Sequence, residues 1–134
     1  MNEVVVTSIE GRTLHIDEPR HRDADGIWSF TATLTTECGT AATEVWDSGD
    51  ALSALFRDLA DALGGFEGER EYASLEGQLS LRCTHDGRGT VSCAVTLARP
   101  APPKWSFSAH LDLGAGAHLE RIASEFEAFV TPRS

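Results

Sequence analysis

Apolar and polar residues alternate along seven stretches of the chain, and this period of two predicts β-strands that bury one face. The clearest stretch is 27–36, where Trp28, Phe30, Ala32 and Leu34 share one side. Strands that each bury one face are typical of antiparallel sheets. The other six predicted strands are 3–9, 12–16, 40–46, 74–85, 90–98 and 105–113.

Two further stretches have the helical spacing of three and four residues between apolar positions. They cover about 50–63 and 117–130, and Gly64 is predicted to end the first helix in a left-handed conformation. A chain of 134 residues fits one domain with a core of its own. We therefore predict a single α+β domain over 1–134, with a mainly antiparallel sheet of about seven strands and two amphipathic helices.

The segment 84–91, THDGRGTV, combines histidine, aspartate and arginine with glycines, which suggests either a reactive site or a hairpin tip. Leu81 and Val95 both belong to buried sets, and directly opposite residues share a face. A three-residue loop at 87–89 brings these two opposite each other, whereas a two-residue loop would expose one apolar set. We interpret the segment as a turn, because His85 and Asp86 then point to opposite faces and cannot form a dyad.

The same register places Cys83 opposite Cys93, and Cys38 is the third cysteine. No apolar run approaches the roughly 20 residues that span a bilayer, and the first residues lack the basic start of a signal peptide. These features predict a cytoplasmic protein without membrane association. The register allows a disulfide between Cys83 and Cys93, but a reducing compartment favours two buried thiols. The spacing of cysteines and histidines predicts no metal and no cofactor, and no nucleophile motif predicts a catalytic residue.

The net charge of −10 disfavours nucleic-acid binding, which requires a basic patch. Residues 44–76 hold nine acidic residues against two arginines, and 64–73 is predicted as an acidic loop. Aromatic residues interrupt this acidic stretch, a composition expected of a protein interface. Our predicted partner-binding residues are Trp46, Asp47, Asp50, Asp58, Asp61, Phe66, Glu67, Glu69, Glu71 and Tyr72.

Several short motifs give the chain a family likeness. They are Phe66-Glu67-Gly68, Tyr72 followed by SLEG at 74–77, HDGRG at 85–89, and a strand that begins at Trp105. With these motifs the chain resembles, over about 50–130, a bacterial domain family of unknown function that is itself similar to WapI-type immunity proteins. The chain has Phe66 where a tryptophan is usual. The resemblance implies a protein that binds and neutralises a cognate toxin, often a basic nuclease.

The sequence thus favours a non-enzymatic protein-binding domain that takes a basic protein as its partner. The specific role that we expect is that of an immunity protein, with a toxin as the partner. Two alternatives stay open at this stage. One is a small-ligand-binding protein or enzyme with a pocket between sheet and helices. The other is a structural subunit that forms a homo-oligomer through a sheet face rich in serine and threonine.

Overall fold

The computed structural model describes residues 3–17, 27–48, 51–62 and 64–130. Within these residues the chain forms two four-stranded antiparallel sheets and two helices. The first sheet is a meander of β1 (Val4–Thr7), β2 (Thr13–Ile16), β3 (Ile27–Thr36) and β4 (Gly39–Ser48). Residues 1–2, 18–26, 49–50, 63 and 131–134 lie outside the described part of the chain, and so do the parts of the predicted elements that fall on them.

The second sheet is also a meander, of β5 (Arg70–Ala73), β6 (Leu79–His85), β7 (Thr90–Arg99) and β8 (Trp105–Gly114). Its β6–β7 pairing confirms the predicted register, with Leu81 opposite Val95. Gly87 and Gly89 have φ angles of 76° and 95°, a region that only glycine enters readily. The turn chemistry and the alternation of apolar residues therefore fix the same register.

The two helices are α1 (Ala51–Asp61) and α2 (Ala117–Val130), and they pack against each other. Leu52, Leu55, Phe56 and Leu59 of α1 are buried, as their spacing predicts. Phe56 stacks on Phe126 of α2, with ring centroids 4.7 Å apart. Buried residues from both sheets and both helices join in one hydrophobic cluster, so the predicted α+β domain has a single core.

The strand count and the sheet division differ slightly from the prediction of one sheet with about seven strands. The additional strand is β5, which lies within 64–73, the stretch predicted as an acidic loop. It is a short edge strand in which Arg70 and Tyr72 share the inner face, opposite Cys83 and Leu81, whereas Glu71 points to the exposed outer face. Short charged strands are common at sheet edges, where they block pairing with other chains.

The expectation of two separate thiols is wrong for Cys83 and Cys93, which form a disulfide in the structure. The register brings them directly opposite, with Cα atoms 4.1 Å apart. Both residues belong to the buried core, so the disulfide joins β6 to β7 from the inner face. Cys38 is free and exposed.

A buried hydrogen bond joins the two sheets. The Tyr72 hydroxyl of β5 donates to Asp47 Oδ2 of β4, and both residues are more than nine-tenths buried. Burial and this hydrogen bond raise the pKa of Tyr72 above the ordinary value of a phenol, so the hydroxyl keeps its proton. Asp47 and Tyr72 thus hold the sheets together from the interior.

One arginine clamps the two helices at their exposed side. Arg57 of α1 reaches α2 through Glu120 and Glu127, each at 2.8 Å, and contacts Asp61 on its own helix at 3.3 Å. Hydrogen bonds from Arg57 hold the pKa of both glutamates below the ordinary value. The clamp therefore gains strength from the ionised form of these carboxylates.

Replacing Arg57 with methionine is expected to lower the melting temperature at neutral pH. The melting temperature of this variant should also decrease less between pH 7 and pH 3 than that of the wild type. A carboxyl with a lowered folded-state pKa stabilises the fold above its unfolded pKa, 4.5 here, and loses that contribution as the pH falls through the folded value. Melting curves from pH 7 down to pH 3 by circular dichroism measure the effect. Arg121→Met is the matched control, because Arg121 forms only a loose exposed pair with Glu125 at 3.8 Å. Equal pH profiles for both variants would contradict the clamp.

Candidate functional site

The ten residues predicted to form one partner-binding surface do not share one surface. Asp47 and Tyr72 are interior residues, which corrects that part of the prediction. Trp46 is half-buried on the outer face of the first sheet, opposite Ser29, and Asp50 lies outside the described residues. The remaining six lie in α1, in β5 and in the loop between them. They are Asp58, Asp61, Phe66, Glu67, Glu69 and Glu71.

Internal arginines pair with most of these carboxylates. Asp58 contacts Arg70 at 2.8 Å, and Asp61 joins the Arg57 clamp. Arg82 of β6 lies 3.6 Å from Glu69 and 3.2 Å from Glu71. Part of the negative charge counted in the sequence is therefore offset inside the fold.

Glu67 differs from these carboxylates, since no ion pair reaches it within the described part of the chain. It follows Phe66 in the loop between α1 and β5 and is exposed. This loop faces the tip of the β6–β7 hairpin across an open groove of about 520 Å³. The groove is lined by Gly64, Gly65, Phe66, Glu67, His85, Asp86 and Gly87.

Aromatic contacts form the floor of this groove. The rings of Phe66 and His85 meet edge to face, with centroids 5.7 Å apart and planes at 71°. The Arg70 guanidinium carbon lies 4.6 Å from the Phe66 ring centroid, a cation–π contact. Since Arg70 also pairs with Asp58, the α1 surface, β5 and the groove form one connected set.

The loop reaches His85 because of a glycine. Gly65 has a φ of 100°, and its N–H donates to the Ala62 carbonyl at 2.9 Å, which ends the helical segment. The prediction that Gly64 is the left-handed residue is therefore wrong, because the positive φ belongs to Gly65. A Cβ at Gly65 would lie 3.0 Å from His85 Nδ1, so the His85 ring would have to shift, and the positive φ of Gly65 disfavours any other residue there.

His85 continues the inward set of β6 and lies at its end, beneath the loop. Its Nδ1 accepts a hydrogen bond from the Gly87 N–H at 2.8 Å, so the proton of the ring is on Nε2. Nε2 is buried and has no hydrogen-bond partner among the described residues. The histidine therefore orders the hairpin tip through one nitrogen and packs under Phe66 with the rest of its ring.

Asp86 provides the second carboxylate at the rim. Its Oδ1 accepts hydrogen bonds from the main-chain N–H groups of Arg88 at 2.6 Å and Thr90 at 3.1 Å. These two bonds hold the pKa of Asp86 below its ordinary value. The aspartate is thus ionised at neutral pH and fixed to the turn.

The groove combines two exposed carboxylates, Glu67 and Asp86, with an aromatic ring that already attracts a guanidinium. This arrangement suits a cationic side chain, whose charge meets the carboxylates while its aliphatic stem packs on the ring. The turn interpretation of 84–91 missed His85 and Asp86 as groove residues. The alternation of β6, which includes His85 in its inward set, could have indicated the histidine.

The described residues include no group of three or more His, Cys, Asp or Glu side chains that could hold a metal ion. Nor does this part of the chain contain a helix long and apolar enough to cross a membrane.

Gly65→Ala is expected to destabilise the fold by about 1 to 2 kcal/mol, because alanine is strained at this φ and its Cβ presses on His85. Gly64→Ala is the matched control, since Gly64 has no positive φ and open space around it. It should change stability by less than about 0.5 kcal/mol. Urea unfolding measures both values, and the account of the loop fails if the two alanines cost the same.

Comparison with known proteins gives a family but no activity. No curated protein and no solved structure matches the chain significantly. A model of a family of unknown function, DUF6228, matches residues 6–133, nearly the whole chain and all elements from the end of β1 to α2. The match shows no link to WapI-type immunity proteins. The chain therefore belongs to the DUF6228 family, whose function is unknown.

Proposed function

We propose that the chain is a non-enzymatic protein-binding domain that takes a basic partner protein at the groove between the α1–β5 loop and the hairpin tip. The observation that carries this proposal is the pair of exposed carboxylates, Glu67 and Asp86, at the rim of a groove whose floor includes Phe66. Asp86 is hydrogen-bonded to the main chain of the turn, and Glu67 directly follows the aromatic Phe66. A lysine or arginine side chain of the partner fits this chemistry.

The surroundings of the groove support a protein partner. Glu69, just before β5, and Glu71, on β5, extend the acidic surface, although Arg82 pairs with both and offsets part of their charge. Acidic surfaces of this extent accelerate encounter with basic proteins and discriminate against acidic ones. The space between the sheets and the helices is filled by one apolar cluster, which does not favour the alternative of a ligand pocket there.

The specific role that we propose is neutralisation of a basic toxin, as in an immunity protein. Its support is the charge of the groove and the resemblance of the motifs at 66–68, 74–77 and 85–89 to a bacterial family of unknown function that is itself similar to WapI-type immunity proteins. An antidote needs to cover its target and requires no reaction of its own. A groove with one carboxylate fixed to the hairpin turn, that of Asp86, and a second exposed carboxylate at its rim meets that requirement.

Glu67→Lys is expected to reduce capture of the basic partner by about tenfold or more, because it replaces an attractive charge at the groove by a repulsive one. The matched control is Glu76→Lys, which changes the net charge equally at the β5–β6 turn, at the other end of β6. Immobilised wild-type and variant proteins are exposed to extract of the native host, and the amount of bound partner is compared. An equal loss of captured partner with both variants would show that only the net charge matters, and it would contradict the proposal.

Co-expression separates the toxin role from partner binding in general. The product of the neighbouring gene should be toxic alone, harmless together with the wild-type chain, and toxic again with Glu67→Lys. Partner capture without toxicity would retain the binding domain and reject the immunity role. Rescue that Glu67→Lys leaves intact would contradict the groove as the working surface.

A further inference from the structure

The outer edge of β8 is divided into a covered half and an open half. The turn between β1 and β2 covers the end near 110–112, where the Ile9 N–H donates to the Asp112 carbonyl and Arg12 Nη1 to the His110 carbonyl, both at 2.8 Å. Main-chain groups of alternate residues face the same edge of a strand. The N–H and C=O groups of Ser106 and Ser108 therefore face this same edge.

The half of the edge at 105–109 is uncovered. None of the described residues bonds the outward main-chain groups of Ser106 and Ser108. On the inner face of this half, Trp105, Phe107 and Ala109 pack against the core but are only partly buried, whereas Leu111 and Leu113 at the covered half are 1% and 0% exposed. This half of the edge therefore exposes both main-chain hydrogen-bonding groups and apolar side chains.

We propose that a second copy of this chain covers the open half, with the two β8 strands paired antiparallel about a two-fold axis. The two second sheets then form one continuous eight-stranded sheet. The inner faces lie on the same side of this sheet, because directly opposite residues share a face. The interface is isologous, as in most homodimers.

The open half selects one register. With Ser106 opposite Ser108 of the second copy, four main-chain hydrogen bonds form, and all of them lie within β8. A register shifted in one direction would pair Ser106 with His110 of the second copy, but the His110 carbonyl already accepts a hydrogen bond from Arg12. A register shifted in the other direction would pair Ser108 with Lys104 of the second copy, but Lys104 follows Pro103 and lies outside the strand.

The side chains of this register are complementary. Trp105 lies opposite the small Ala109 of the second copy, and Phe107 lies opposite its own equivalent. Large-to-small and aromatic cross-strand pairs of this kind stabilise antiparallel sheets. The half-exposed apolar side chains of each copy are thus covered by those of the other.

Charge complementarity also favours a second copy. Lys104 is the single lysine of a chain with net charge −10, and it lies directly before β8. In the proposed register Lys104 lies diagonal to Asp112 of the second copy. Within each copy the Asp112 N–H donates to Glu10 Oε1 at 3.4 Å, so Glu10 lies close to Asp112. The lysine of each copy therefore reaches two carboxylates of the other, an attraction that offsets the repulsion between two acidic proteins.

Sedimentation equilibrium of the full chain over a wide concentration range tests the dimer. Wild-type protein should show a monomer–dimer equilibrium, and Ser108→Pro should weaken it by at least about tenfold because two symmetric N–H donors are lost. The proline does not disrupt the β7–β8 ladder, since this N–H faces the open edge. Ser108→Ala retains the N–H and serves as the control, with unchanged dimerisation expected.

A charge exchange tests the register. Lys104→Glu should weaken the dimer, and the double variant Lys104→Glu with Glu10→Lys should restore it. Amide exchange at Ser106 and Ser108 should slow as the protein concentration rises. A chain that is monomeric at every concentration, or a dimer that Ser108→Pro leaves equally tight, would overturn the proposal. Protection of these amides only after addition of a host protein would assign the edge to that protein and also overturn it.

Discussion

The pairing register of β6 with β7 is the constraint on which the rest of the second sheet depends. Because Leu81 lies opposite Val95, the odd-numbered residues of β6 face the core, and the turn falls at Gly87 to Gly89. The same parity turns His85 inward under the α1–β5 loop. It also continues through β7 into β8, where it places Phe107 on the inner face. A register shift of one residue would expose the apolar side chains of β6 and turn His85 away from the α1–β5 loop. It would also change which side chains β8 presents at its open edge.

The distribution of arginines decides which acidic residues of the chain remain available. Arg57 joins Asp61 to two glutamates of α2, and Arg70 takes Asp58. These pairs connect elements of the fold, although each exposed pair alone contributes little to stability. On the α1–β5 side, Glu67 is the carboxylate that no arginine of the described residues pairs with, and it lies at the groove. A count of carboxylates therefore overstates the acidic surface, and the position of the arginine partners defines it.

The sequence predicts the fold better than the site. Alternation and helical spacing are local signals, so the strands around Trp28 and the helix that carries Phe56 are predictable from the residues alone. The short strand β5 was not predicted, because its Arg70 and Glu71 read as loop residues and only pairing with β6 makes them a strand. The interior hydrogen bond of Tyr72 and the approach of Gly65 to His85 depend on contacts distant in sequence, which no local pattern contains.

The central claim is that the groove beside Phe66 binds cationic side chains, and a nuclear magnetic resonance titration tests it most directly. An arginine-containing cationic peptide is added to the labelled chain, and a peptide with citrulline in place of arginine is the control. The account predicts salt-sensitive shift changes centred on the amides of Gly65, Glu67, Asp86 and Gly87, which the control peptide does not produce. Shift changes centred elsewhere, or equal changes with both peptides, would contradict it.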